Sequence, residues 1–180
     1  MGTHVQHSHL HDDHFSKNGN LVRLKNAPIL AVRRNGIRSI LNEISVGAGA
    51  LFNSADTRFE SNPTSTGLSL SIVGIITNNS GRDLTLMVSY MVNWDTNSVG
   101  VRTAYLEING DNTQRLAQST VQAVSVGTVQ TGSAIFTLPN TQNFELKVWQ
   151  NSGGTRNIGV EQGAGLTSGF GTILQAAVIN

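Results

Sequence analysis

Every histidine in this 180-residue chain falls near its start, at positions 4, 7, 9, 11 and 14, with Asp12 and Asp13 between the last two. In an extended chain, residues two apart point to the same side, so His7, His9 and His11 line one face. A single chain does not easily close a compact site with them. Three chains around a threefold axis, each offering a His-x-His pair, would bring six imidazoles into an octahedral set. That set suits iron, with zinc or nickel as other imidazole-accepting ions. His9 and His11 are the candidate metal ligands, with His7 as a third candidate. Two other readings stand beside this one: a solvated leader whose histidines titrate near neutral pH, and a segment that docks on another component without metal.

Elsewhere the chain offers little chemistry. Cysteine is absent and no histidine lies beyond residue 14, so a Ser-His-Asp or Cys-His site would need its base from another chain's arm. Asp56, Glu60, Asp83, Asp95, Glu107, Asp111, Glu145 and Glu161 show no spacing that singles out a catalytic pair. The glycine-containing stretches 45–50 and 163–166 lack the lysine and helix context of a phosphate-binding loop. Arg23, Lys25, Arg33, Arg34 and Arg38 form a modest basic cluster, without the interleaved aromatics of a nucleic-acid surface. The expectation is a protein that is not an enzyme and binds no nucleic acid.

The elements that must position these residues are strands. Hydrophobic residues make up 38% and charged residues 13%, enough apolar sequence for one core, and 12 Lys plus Arg balance 11 Asp plus Glu to leave a net charge of +1. So little charge hints that much of the surface is shared between subunits. The absence of cysteine fits a product made in a reducing host cytoplasm, and neither an apolar leader nor a membrane-length apolar run is present, so no membrane insertion is expected.

Residues 1–27 read as an attachment or trimerisation arm and residues 28–180 as a head domain. Asn35-Gly36 signals a hairpin turn between two strands. From residue 67 onward, short apolar runs alternate with turn residues. Leu84, Leu86, Val88, Tyr90 and Val92 share one strand face, and Thr85, Met87, Ser89, Met91 and Asn93 the other. Further strands are expected over 101–108 before Asn109-Gly110, and over 117–126, 132–138, 144–150 and 170–179. The spacing predicts an all-β antiparallel sandwich or jelly roll. In the run Phe144 to Gly154, Phe144, Leu146 and Val148 fall on one face and Glu145, Lys147 and Trp149 on the other. Trp149 therefore reads as a side chain packed under a neighbouring loop or as part of an interface or ligand site.

This same run, Phe-Glu-Leu-Lys-Val-Trp-Gln-Asn-Ser-Gly-Gly, resembles the penultimate strand and following loop of the C1q/TNF-like jelly-roll family. The Leu-Glu-Ile-Asn-Gly hairpin at 106–110, the Gly-Ser-Ala-Ile-Phe strand at 132–136 and the closing strand from Ser168-Gly169-Phe170 follow in matching order. The resemblance implies a jelly roll of about ten strands that forms compact trimers, binds through its outer loops and catalyses nothing. The segment His9-Leu10-His11-Asp12-Asp13-His14-Phe15-Ser16-Lys17 resembles a short element of bacteriophage tail-fibre proteins, with His14 where Arg is usual and Phe15 where Tyr is usual. That resemblance implies iron or zinc held by His9 and His11 on a trimer axis.

Together these readings lead to a virion protein, a homotrimeric tail-fibre-like or tip-like subunit. Its arm would meet other virion proteins, and its head would meet a host-surface glycan or protein. The expected contact loops are 95–100, 111–115 and 150–156, with Asp95, Asn97, Trp149, Gln150, Asn151 and Arg156 as binding candidates. A capsid decoration or minor capsid protein is the alternative, and a secreted C1q-like lectin is disfavoured by the missing leader.

Overall fold

The computed structural model describes residues 15–18, 21–24, 29–33, 38–40, 57–61, 66–71, 74–159 and 172–179. His7, His9 and His11 lie outside the described residues. Within those residues all regular structure is β-strand, as expected. The strands are β1 (Phe15–Asn18), β2 (Leu21–Leu24), β3 (Ile29–Arg33), β4 (Arg38–Ile40), β5 (Thr57–Ser61), β6 (Leu68–Leu70) and β7 (Ile76–Asn78). They continue as β8 (Leu84–Trp94), β9 (Val101–Ile108), β10 (Asp111–Gln122), β11 (Thr128–Leu138), β12 (Asn143–Gln150), β13 (Arg156–Ile158) and β14 (Ile173–Val178).

Two antiparallel sheets form a jelly roll. The smaller runs β10-β9-β12-β7-β6; the larger runs β4-β13-β8-β14-β3-β5, with β11 on the other edge of β8. Crossing between sheets buries alternate side chains of each strand, because successive residues point to opposite faces. On β8 the inward series is Leu84, Leu86, Val88, Tyr90, Val92 and Trp94, all buried. It meets Ala104, Leu106 and Ile108 of β9, Phe144, Leu146 and Val148 of β12, Ile76 of β7 and Leu30 and Val32 of β3 in one core. The sequence alternation on β8 and β12 is thus realised with the expected face inward.

Asn109 and Gly110 close the β9–β10 hairpin with φ of 54° and 68°. Two consecutive left-handed residues make the tight turn whose twist matches its strands, and Asn-Gly accepts that geometry at low cost. The other Asn-Gly step, at 35–36, was expected to join a strand pair. The flanking strands do not pair with each other: β3 has β14 on one edge and β5 on the other, while β4 pairs with β13. With both edges of β3 occupied, no edge remains for β4. In the 1–27 segment, Phe15–Asn18 and Leu21–Leu24 form their own two-stranded sheet, in register from Phe15↔Leu24 to Asn18↔Leu21.

The head has a direction. Ile29 lies opposite Ala177, which lies opposite Met87, near the start of β8. The chain therefore enters the head at the end where β8 begins, and the 95–100 and 150–156 loops stand at the other end.

Candidate ligand-binding face

On β9, the residues not used in the core, Thr103, Tyr105 and Glu107, point away from the sandwich. The register places Trp149 beside Thr103, Lys147 beside Tyr105 and Glu145 beside Glu107. On the other side β10 is irregular, with register shifts between Asp111 and Arg115 and between Leu116 and Ser119. Bulges of this kind re-aim side chains. Arg115 is turned over Tyr105, its guanidinium carbon 4.5 Å from the ring centroid. A recess of about 320 Å³ opens there, lined by Thr103, Tyr105, Arg115, Gln118 and Trp149. That volume falls at the low end for small-ligand sites.

The bulge is held from inside the core. Ala117 has φ of 52°, a left-handed conformation that costs a residue with a Cβ about 1 kcal/mol or more. The Tyr90 hydroxyl crosses from the other sheet to donate to the Ala117 carbonyl at 2.5 Å, with the Ala104 carbonyl at 3.0 Å. Burial pushes the Tyr90 phenol up to about 12, so it remains a donor. Tyr90 fits only because its cross-strand partner is Gly132: a Cβ at that position would lie 2.5 Å from the ring.

Beside the recess, the Lys147 ammonium bonds Glu107 and lies 3.2 Å from Glu145. Burial pulls the Lys147 pKa down, but the hydrogen bonds and charges of the two carboxylates outweigh it and hold the pKa above the usual lysine value. Glu107 is buried, and its second oxygen has no hydrogen-bond partner. Tyr105 is raised above the usual phenol value, first by burial, with Arg115 opposing.

Two of the three expected contact loops come together at the far end of the head. The Val101 N–H donates to Asn151 Oδ1 at 2.7 Å, and the Asn157 N–H donates to Asp95 Oδ2 at 2.9 Å. Gly100, with φ of 76°, has no room for a side chain, since a Cβ would meet Asn151 Oδ1 at 2.5 Å. Asn97 accepts from the buried Arg102 guanidinium at 3.0 Å. Burial lowers the Arg102 pKa, with Asp95 opposing and Arg156 reinforcing. The Gln150 amide donates to Gly154 O and accepts from the Ser152 N–H, and Arg156 donates to Ser152 Oγ. These polar groups brace the loops against one another.

The third expected contact segment, 111–115, begins at the opposite end, a β9 length away, roughly 25 Å at about 3.3 Å per residue. Its Asp111 carboxylate is held below the usual value by hydrogen bonds from Thr113 and Gln114. Of the six binding candidates, only Trp149 lines the recess. Its companions Thr103, Tyr105, Arg115 and Gln118 follow from strand register and from the β10 bulge. Alternation could have flagged Tyr105 and Thr103, but no glycine or asparagine marks the left-handed position at Ala117.

The outward face of the larger sheet is different in character. Cross-strand rows run Ile135–Met87–Ala177–Ile29 and Ser133–Ser89–Gln175–Ala31. None of these eight residues is charged, and Ile135 is 66% and Met87 48% exposed. A shallower recess of about 220 Å³ lies on this face between β8 and β14.

No family model matches this sequence, and no curated protein does. Solved structures do. The Eiger TNF of S. frugiperda is 12% identical, with a TM-score of 0.53 over 86% of this chain and 94% of that one. The globular domain of zebrafish complement 1qA is 12% identical, with a TM-score of 0.50 over 85% and 98%. The PRD1 vertex protein P5 is 16% identical, with a TM-score of 0.50 over 86% and 98%. The fold is the C1q/TNF-like jelly roll expected from the sequence.

Proposed function

We propose that this chain is a non-enzymatic structural protein of a virus, a homotrimeric tail-fibre-like or tip-like subunit that attaches through its N-terminal segment and presents its head to a host surface. The observation that carries the reading is the direction of the head. The chain enters at one end of the sandwich, and the loops containing Asp95, Asn97, Asn151 and Arg156 are clustered and braced at the other. A subunit anchored at one end and recognising at the other needs this polarity. The two uncharged outward rows of the larger sheet, Ile135–Met87–Ala177–Ile29 and Ser133–Ser89–Gln175–Ala31, support assembly, because covering Ile135 and Met87 removes apolar surface from water. Three copies would then engage a repetitive surface with multiplied strength. The trimer implied by the resemblance of the sequence uses this face in our reading.

The donor set of the N-terminal segment suits iron or zinc, since neutral imidazoles accept both. His9 and His11, with His7 beside them, would hold the ion between chains. Its role there would be to tie the three segments together. A second reading, a capsid decoration or minor capsid protein, draws support from the likeness to the PRD1 vertex protein.

The test is to purify the full chain in chelator-free buffer, then measure its mass by light scattering and its bound metals by elemental mass spectrometry. The expected result is a trimer carrying about one iron or zinc per three chains, with the metal lost when His9 and His11 become alanine. A monomer without metal overturns the axial site and shifts the reading to a capsid-docked subunit.

A further inference from the structure

The recess over Thr103, Tyr105 and Trp149 is on the opposite side of the sandwich from the face assigned to subunit contact. Its composition is specific. Trp149 is half-buried and offers an apolar ring surface, the exposed Gln118 offers an amide, and the Thr103 and Thr120 hydroxyls face each other at 3.1 Å across the β9–β10 ladder. Arg115 supplies the charge. Its guanidinium lies over Tyr105, its Nε is buried with no hydrogen-bond partner, and no carboxylate pairs with it among the described residues.

A guanidinium in a concave site with no carboxylate bonded to it among the described residues selects for an anion. The aromatic and hydroxyl surroundings select for a ring with one apolar face and polar edges. A strongly charged ligand is disfavoured by Glu107, whose second carboxylate oxygen is buried and unpartnered next in register to Arg115. One negative charge on a polyhydroxylated ring meets all three conditions.

We propose that this recess binds one carboxylate-bearing sugar unit of a surface glycan, with the ring against Trp149 and the carboxylate at Arg115. The proposal deepens the reading of the head as a recognition module and rests on it only for the source of the glycan. Tyr90 acts here as a positioning residue, since its bond to the Ala117 carbonyl holds the bulge that turns Arg115 and Gln118 toward the ring.

The test titrates the full chain with the monoanionic methyl β-D-glucuronide and, separately, with the neutral methyl β-D-glucoside, reading tryptophan fluorescence. Trp94 is fully buried, so a ligand-dependent change reports Trp149. The expected result is saturable binding of the acidic sugar at least tenfold tighter than of the neutral one, weakened by added salt. Arg115→Gln removes at least tenfold of that affinity and Arg115→Lys restores part of it. Gln118→Ala, at an exposed position, weakens binding in a chain whose near-ultraviolet circular dichroism is unchanged. Equal binding of both sugars, indifference to Arg115→Gln, or no saturation with either sugar overturns the proposal. Light scattering on the same samples separates the two readings. A trimer that ignores the acidic sugar overturns the site alone, and a monomer that binds it overturns the assembly alone.

Discussion

Replacing Ile135 with glutamate tests the assembly face most directly. Ile135 is 66% exposed in the single chain, so the substitution removes little from the fold itself; surface changes of this kind usually stay within about 0.5 kcal/mol. In a trimer that covers the face, the same side chain loses its remaining exposure. Fully burying an isoleucine is worth about 1.5–3 kcal/mol, so covering two thirds of one contributes about 1–2 kcal/mol per subunit, or about 3–6 kcal/mol over three equivalent contacts. A carboxylate there forfeits that gain and adds the cost of desolvating three charges without partners, several kcal/mol more. At 1.4 kcal/mol per decade, even about 6 kcal/mol shifts trimer association by about four orders of magnitude. Sedimentation at micromolar concentration should therefore show a trimer for the wild type and a folded monomer for Ile135→Glu. Val126→Glu is the control, because Val126 is 75% exposed but belongs to the β10–β11 loop at the far end. The reasoning is refuted if Ile135→Glu stays trimeric, or if Val126→Glu dissociates the protein equally.

The Lys147 cluster gives a second prediction. Lys147→Met leaves Glu107 and Glu145 buried side by side without their cation and should cost about 3–5 kcal/mol, which Glu107→Gln in the same chain partly recovers; urea unfolding at fixed protein concentration measures both. Because the Lys147 pKa is raised on folding, its contribution is fully present below the unfolded lysine value near 10.4 and is lost as pH rises through the higher folded value, so the stability gap between wild type and Lys147→Met should close in strongly alkaline buffer. Tyr90→Phe removes the donor to Ala117 and Ala104 and should cost about 1–3 kcal/mol, seen as a lower urea midpoint with unchanged slope. A Tyr90→Phe chain as stable as the wild type would show that the bulge does not depend on this hydroxyl.

The sequence made the β class, the strands over 84–93, 101–108 and 144–150 and the apolar faces of the first and last legible, because alternation with a period of two is a local property of each strand. Asn109-Gly110 was equally readable, since only the two turn residues decide whether left-handed geometry is cheap. The resemblance of the Phe144–Gly154 run to the C1q/TNF-like family carried the jelly-roll topology as well. Asn35-Gly36 carries the same local signal, yet β3 pairs elsewhere because both its edges are taken by strands distant in sequence. Which residues share a site was a question of register. Trp149 could be assigned to the outward face of its strand from the sequence, but its neighbours Thr103 and Tyr105 became neighbours only through the β9–β12 pairing. Arg115 joined them through a bulge that an alanine occupies against its own preference. A hydroxyl from the opposite sheet, made possible by a glycine on the strand beside it, holds that alanine in place. Local pattern determines what a strand buries, whereas long-range pairing and core packing determine what its exposed face meets.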